Sequence, residues 1–310
     1  MNILFTLNNA FVPQVATCMC SIFENNKSMD EINIYLLNTD ISEANKAKLQ
    51  EFTKLYGRSV HFITLPNLRS LIDFDFDTNG WSPIVLARLL VDKLLPEDID
   101  RILYLDGDTL VLGSLESLWE LDMGNRSIGM GPESTVDAGR REFLGLGKQM
   151  YCNAGVLLID LEKWRNYKLG EKVLAYYKKH DGNLFANDQD AINGSLKVIF
   201  MLFLQNIISS IYTFFYPYRV LKKLSLPAEF ISRQELREAI ENPIIVHYLG
   251  EERPWRKGNT HKLRKYYLYY LEKTPWSKTP METGWEFYFI CFRTFNIIMK
   301  PFPMLRYKIN

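Results

Sequence analysis

The stretch RILYLDGDTLVL, residues 101–112, decides how this chain is read. Arg101–Leu105 is rich in branched and aromatic residues, the composition of a buried strand. Asp106, Gly107 and Asp108 break that run, and Thr109–Leu112 resume its apolar character. Two carboxylates one residue apart repel each other unless something positive lies between them. Oxygen donors so placed suit a hard divalent ion such as Mg²⁺ or Mn²⁺, and Gly107 lets the backbone turn sharply. Asp and Gly are also ordinary turn residues, so the triplet alone stands equally for a surface turn.

Outward from this stretch, strand and helix patterns alternate. Asn2–Leu7, Ile32–Leu37 and Ser59–Leu65 read as strands. Pro13–Asn26, Ser42–Tyr56 and Ser82–Leu95 read as helices, the second opened by Ser42 with Asn45 where a capping box would place Glu, the third with Pro83 at its first turn. Alternation of this kind predicts an open, mostly parallel α/β sheet flanked by helices. In such sheets ligands bind outside the carboxyl ends of the strands, which is where Asp106 and Asp108 fall. Further on, Ser127–Met130, Gly155–Ile159 and Ile244–Tyr248 read as short strands, and Leu169–His180 and Thr260–Glu272 as helices. Residues 187–196 read as a helix start, and 200–245 as irregular.

At 310 residues the chain is long enough for a substantial core. Its net charge of +1 conceals an asymmetry: Lys/Arg and Asp/Glu number 25 and 31 over residues 1–250, but 12 and 5 over 251–310. An acidic body gives no footing to nucleic acid. The four cysteines suggest no disulfide framework, and Cys18 and Cys20 point to different sides of a predicted helix, so a reducing cytosol is expected. MNILFTLNNAF has no basic stretch ahead of its apolar residues and reads as a strand, not a signal peptide.

Three later stretches bear on the carboxylate pair. In YCNAGVLLIDLEKWR (151–165), Asn153 and small neighbours sit at a strand start, where a side-chain amide and open backbone can meet a polar ligand or simply make a tight entry. In NDQDAING (187–194), Asp188, Gln189 and Asp190 crowd a helix N-terminus, which favours acids through the helix dipole alone. In VHYLGEERPWRKG (246–258), Gly250, Arg253, Arg256 and Lys257 form a basic loop able to grip phosphate, and His247 is a candidate third ligand beside Asp106 and Asp108. A strand ending in D-x-D also suits an aspartyl-phosphate phosphatase of the haloacid dehalogenase type. That family keeps the motif near the N-terminus and prefers Thr or Val where this chain has Leu110.

Taken in order, NILFTL, LARLLVDKLLP, RILYLDGDTLVLGSL, YCNAGVLLIDLEKWR, NDQDAING and HYLGEERPW resemble the family 8 glycosyltransferases over roughly residues 1–270. That family includes the bacterial lipopolysaccharide galactosyl- and glucosyltransferases and, more distantly, glycogenin. The resemblance implies a GT-A fold and a UDP-sugar donor, UDP-glucose or UDP-galactose, with Mn²⁺ or Mg²⁺ as cofactor. It implies that Asp106, Asp108 and His247 bind the ion, with Gly107 between them. Gly250 and Arg253 would close over the phosphates, and Asn8 would lie at the uracil and ribose. Arg88, Asn153, Ala154, Asp188 and Gln189 would line the donor-sugar pocket. Gln189 lies beside the anomeric carbon in this reading, with α configuration retained by front-side displacement; a covalent intermediate on Asp188 is the alternative. Family members usually end the first strand with an acidic residue where this chain has Asn8-Asn9-Ala10. That departure also allows a weak or inactive binding protein on the same fold.

Residues 271–310 are expected to form a separate basic, aromatic extension. Residues 276–310 hold nine aromatics, five Lys/Arg and two Glu. Such a segment suits either the interface of an anionic bilayer or a helix packed on the enzyme. The family resemblance favours the former: a peripheral protein at the cytoplasmic face of the cell membrane, acting on a glycan or glycolipid acceptor for surface polysaccharide.

Overall fold

A computed structural model describes residues 1–303 apart from 66, 134, 197–199, 203–207 and 211–215, and for 200–202 and 208–210 the backbone alone. The strands are β1 (Asn2–Leu7), β2 (Asn33–Asn38), β3 (Ser59–Thr64), β4 (Arg101–Leu105), β5 (Thr109–Val111), β6 (Ile128–Pro132), β7 (Cys152–Asp160), β8 (Phe200–Leu202), β9 (Ile208–Ser210) and β10 (Ile245–His247). Seven of them form one sheet in the order β3-β2-β1-β4-β7-β6-β8. Only β7 runs against its neighbours β4 and β6. The inner strands are buried on both faces, which is why β1, β4 and β7 are near-continuous apolar runs.

Side chains alternate along β4: Leu103 and Leu105 enter one core with α1 (Val12–Asn25) and α2 (Glu43–Leu55), while Ile102 and Tyr104 enter the other. That second core includes the segment Pro83–Leu90, the single turn α3 (Val91–Leu94), then, beyond α4 (Glu116–Trp119) and α5 (Ala138–Phe143), the helices α6 (Leu161–Asn166), α7 (Leu169–Lys179) and α8 (Asn187–Ser195). Ser42 caps α2 by accepting from the Asn45 N–H. The stretch expected as one helix over Ser82–Leu95 is instead a 3₁₀ helix that runs on into α3.

The described residues of 200–245, a stretch whose pattern reads as irregular, include two helices. These are α9 (Tyr218–Ser225) and α10 (Arg233–Glu241), the latter opened by a full capping box between Ser232 and Glu235. Beyond them lie α11 (Arg264–Glu272), shorter at its start than expected, and α12 (Glu286–Met299) in the tail.

Two features of the sheet position everything functional. First, β4 leaves the large sheet through Asp106-Gly107-Asp108 and re-forms as β5 in a second sheet, ordered β5-β10-β9. The carboxylate pair thus occupies the corner between two sheets. Second, β7 is longer than the expected Gly155–Ile159 and is irregular against β6: the register steps from Met130↔Leu157 to Gly131↔Asn153. Ala154, Gly155 and Val156 are left without a partner on β6, and their backbone is free to serve the site.

Candidate active site

Ladder hydrogen bonds assemble the corner. β10 runs antiparallel to β5 with His247 opposite Thr109, and the Tyr248 N–H donates to the Asp108 carbonyl at 2.9 Å. His247 Nε2 therefore lies 3.0 Å from Asp108 Oδ1 and 3.6 Å from Asp106 Oδ2. Ligand atoms of Asp106, Asp108 and His247 all lie within 4.8 Å of one another. Burial works against a charged His247, but Asp108 and Asp106 overcome it and raise its pKa. Burial would likewise raise the Asp108 carboxyl, yet His247 and then Arg253 hold it below the usual carboxylate value.

Glycines keep this corner open. At Gly107 a Cβ would stand 2.7 Å from the Phe11 ring and 2.9 Å from Val15. At Gly155, whose carbonyl accepts from the Asp106 N–H at 2.8 Å, a Cβ would overlap the His247 ring and lie 2.8 Å from Asp106 Oδ2. Two carboxylates and an imidazole with ligand atoms this close fit a divalent ion, and the lack of a side chain at Gly155 gives the imidazole room to take its place among them. Gly155 did not stand out in the sequence because its role depends on the strand across from it.

Arg88 ties the corner to the rest of the site. Its guanidinium is buried over the Tyr104 ring at 4.5 Å. It pairs with Asp106 Oδ1 and Asp188 Oδ2, each at 3.0 Å, and donates from Nη1 to the Ala154 carbonyl at 2.7 Å. Its Nε hydrogen bond goes to the Val85 carbonyl, so the Asp188 contact is an ion pair without hydrogen-bond alignment. Burial disfavours the charge, but Asp106 and Asp188 outweigh it and keep Arg88 more basic than usual. Burial pushes the Asp188 carboxyl up to about 6, with Arg88 pulling the other way.

Gln189 is held at both ends. Its Oε1 accepts from the Ala154 N–H at 2.9 Å and its Nε2 donates to the Tyr151 hydroxyl at 2.9 Å. Tyr151 commits its own proton to Asp190 Oδ1 at 2.7 Å, so toward Gln189 it can only accept, and this fixes which way the carboxamide points. Arg140 completes the buried network, donating to Asp190 Oδ1 from Nε and Nη2 at 2.9 and 2.6 Å. Asp190 thus serves both ends: Oδ1 takes part in this support, and Oδ2 accepts from the Ala186 N–H at 3.0 Å at the start of α8. Asn153 turns back on its own strand: Oδ1 accepts from the Gly155 N–H at 2.8 Å and shapes the bulge.

The loop after β10 is the main departure from expectation. Gly250 has φ +62°, which favours glycine there. Arg253 is half-buried against Trp81 and Trp255, with no hydrogen-bond partner for its Nε among the described residues. Arg256 and Lys257, read from sequence as part of the phosphate grip, are already occupied. Arg256 pairs with Glu251 and packs on Trp285, and Lys257 pairs with Glu286 at 3.3 Å. Glu251 within the loop, and Glu282 and Glu286 in the tail, explain the difference. At the end of β1, Asn8 Oδ1 accepts from the Phe11 N–H at 3.1 Å and caps a short 3₁₀ turn.

This fold and cluster define a class: an α/β sheet presenting two carboxylates, a histidine and a buried arginine at the carboxyl end of its central strand. Residues 2–259 match the model of glycosyl transferase family 8, and the chain belongs to that family. It is a glycosyltransferase. General stress protein A of Bacillus subtilis is 27% identical over 287 residues, covering 89% of this chain and 95% of that one. The lipopolysaccharide 1,2-glucosyltransferase of Escherichia coli is 28% identical over 285 residues, covering 89% and 79%. Among solved structures, the galactosyltransferase LgtC, in complex with donor and acceptor sugar analogues, superposes with a TM-score of 0.75 at 23% identity, over 89% of this chain and 96% of that one. The fold is thus of GT-A type, as the sequence resemblance implied.

Loss of the Tyr151 hydroxyl leaves the Gln189 amide held at one end only, by the Ala154 N–H. Tyr151→Phe is expected to lower kcat for sugar transfer about tenfold, the loss of a hydrogen bond worth ~1.4 kcal/mol in the transition state, with donor KM changed less than about twofold. Steady-state kinetics with varied donor checks this.

Proposed function

We propose that this glycosyltransferase moves glucose or galactose from UDP to a glycan or glycolipid acceptor, with retained α configuration, in building a bacterial surface polysaccharide. The convergence of Asp106, Asp108 and His247, whose imidazole has room because Gly155 carries no side chain, beside Arg88 and Gln189, carries this reading. The lipopolysaccharide glucosyl- and galactosyltransferases among the relatives support the substrate class. Mn²⁺, or Mg²⁺, would be held by Asp106, Asp108 and His247 across the turn at Gly107, and when bound would stabilise the negative charge of the diphosphate leaving group.

The chain's own residues supply the rest. Arg253, on the loop turned by Gly250, faces the diphosphate with an unpaired guanidinium Nε. Arg88 orients Asp106 and Asp188, while Asn153 and Ala154 form the floor under the sugar. Asn8 reaches the nucleobase from the end of β1, where its amide can both donate and accept. The bond from the anomeric carbon to the β-phosphate oxygen breaks as a bond to the acceptor oxygen forms on the same face. The acceptor proton passes to the departing diphosphate. The held carboxamide of Gln189 and the Arg88-paired carboxylate of Asp188 are poor nucleophiles, which favours this front-side route over a covalent one.

We read residues 1–270 as the transferase domain and 271–310 as an extension that meets an anionic bilayer at the cytoplasmic face. Among the described residues no helix is long and apolar enough to cross a membrane. α12 buries Phe289 and Met299 but exposes Phe287, Ile290, Ile297 and Ile298, which helical spacing lines up on one side. Phe302 continues that exposure, and the aromatic Tyr307 lies outside the described residues. Such a stripe suits insertion at headgroup depth.

With Mn²⁺, one of UDP-glucose and UDP-galactose is expected to turn over, read as UDP release and product mass. Asp108→Asn should lower that rate at least about a hundredfold, as removal of an ion ligand does. Turnover of neither donor, with UDP binding unaffected by Asp108→Asn, would favour a binding protein on this fold. For the membrane, co-sedimentation with phosphatidylglycerol vesicles should fall sharply in full-length protein carrying Ile297→Asp and Ile298→Asp; equal pelleting would remove the membrane role.

A further inference from the structure

We propose that residues 279–289, the segment leading into α12, form a clamp that positions the Arg253 loop for the donor diphosphate; the inference rests on the nucleotide-sugar reading above. The loop from Tyr248 to Asn259 has no helix or strand of its own. Its far half is held by α11, through Arg264 Nε to the Pro254 carbonyl at 2.9 Å and Tyr267 against Trp255, and by the tail. The Lys257 N–H donates to the Glu282 carbonyl at 2.8 Å and the Glu282 N–H donates to the Trp255 carbonyl at 3.0 Å, a short two-stranded bridge. The buried Arg256 guanidinium lies 3.3 Å from the centroid of the Trp285 ring, between Glu251 and Glu282, whose Oε1 is 3.5 Å from Nε. Lys257 pairs with Glu286, and Gly258, at φ +91°, leaves no room for a Cβ against the Glu286 backbone at 3.0 Å. Four consecutive loop residues, Trp255 to Gly258, are thus tied to the segment.

The tie reaches the site through Trp255. Its ring meets Phe11 edge-on at 5.5 Å, and Phe11 is the side chain that closes over Gly107 between the two carboxylates. Trp255 also flanks the Arg253 guanidinium at 5.8 Å. Arg256 and Lys257 hold the loop down, which leaves Arg253 as the cation turned to the ligand. A loop already held in place loses less conformational freedom when a diphosphate binds. Trp285, Glu282 and Arg256 are accordingly positioning residues, remote from the reacting atoms.

The test is calorimetric titration of UDP and of UMP, with Mn²⁺ present, into full-length protein. Trp285→Ala is expected to weaken UDP binding about tenfold but UMP binding less than about twofold, because only UDP carries the second phosphate that Arg253 would meet. Arg256→Lys, which keeps the charge but loses the stacked plane over Trp285, should act in the same direction and decides the matter should Trp285→Ala not fold. Cys291→Ser, exposed on α12, should change neither affinity. UDP affinity unchanged in both clamp variants overturns the inference, as does an equal loss for UDP and UMP. Wild-type protein that binds UDP no better with Mn²⁺ than without overturns the nucleotide reading and the clamp with it.

Discussion

The site depends on one buried cation. Arg88 is sealed from water beneath the carboxyl ends of the strands, where an unpaired guanidinium would cost about 3–5 kcal/mol. Asp106, Asp188 and the Ala154 carbonyl converge on it from the end of β4, α8 and β7, three elements distant in the sequence. The same charge lets acidic groups crowd together that would otherwise repel. Asp106, pulled toward Arg88 through Oδ1 and donated to by Tyr104 at 2.5 Å, presents its other oxygen toward His247. The buried ion pair therefore sets the direction of one arm of the Asp106–Asp108–His247 cluster.

Rigid backbone does the remaining positioning. His247 and Asp108 are neighbours because β10 pairs with β5 in a single register. Gly155 faces Asp106 because β7 pairs with β4, and the break in the β6 ladder frees the Ala154 N–H for Gln189. Sites built this way on strand ends vary little in geometry, which suits stabilisation of charge that develops during bond cleavage.

Much of this is legible in the sequence. The β-α alternation, the buried character of β1, β4 and β7, and the motifs around Asp106, Asn153, Gln189 and His247 are local signals that survive folding. Features that depend on distant partners are not legible in the same way. Gly155 is one more strand glycine until His247 is placed across from it, and Tyr151 an ordinary aromatic until Asp190 takes its proton. Lys257 resembles part of a phosphate grip because nothing nearby in sequence shows that Glu286 pairs with it, whereas Arg256 is met by Glu251 in its own loop as well as by Glu282 and Trp285 in the tail. The capping box at Ser232 and Glu235, by contrast, is written locally and marks α10 within a stretch that otherwise reads as irregular.

The tail joins two surfaces. Its first part lies against the loop carrying Arg253, and α12 beyond it shows an apolar stripe to solvent, so one element links the ligand loop to an exposed face. The proposed transfer requires that Asp106, Asp108 and His247 hold an ion. Titrating UDP into wild-type and Gly155→Ala protein, with and without Mn²⁺, addresses it most directly. Mn²⁺ should tighten UDP binding at least about tenfold in the wild type. The gain should vanish in Gly155→Ala, whose added methyl would overlap the His247 ring and push that ligand out of place. UDP binding equally tight with and without Mn²⁺ in the wild type would contradict it.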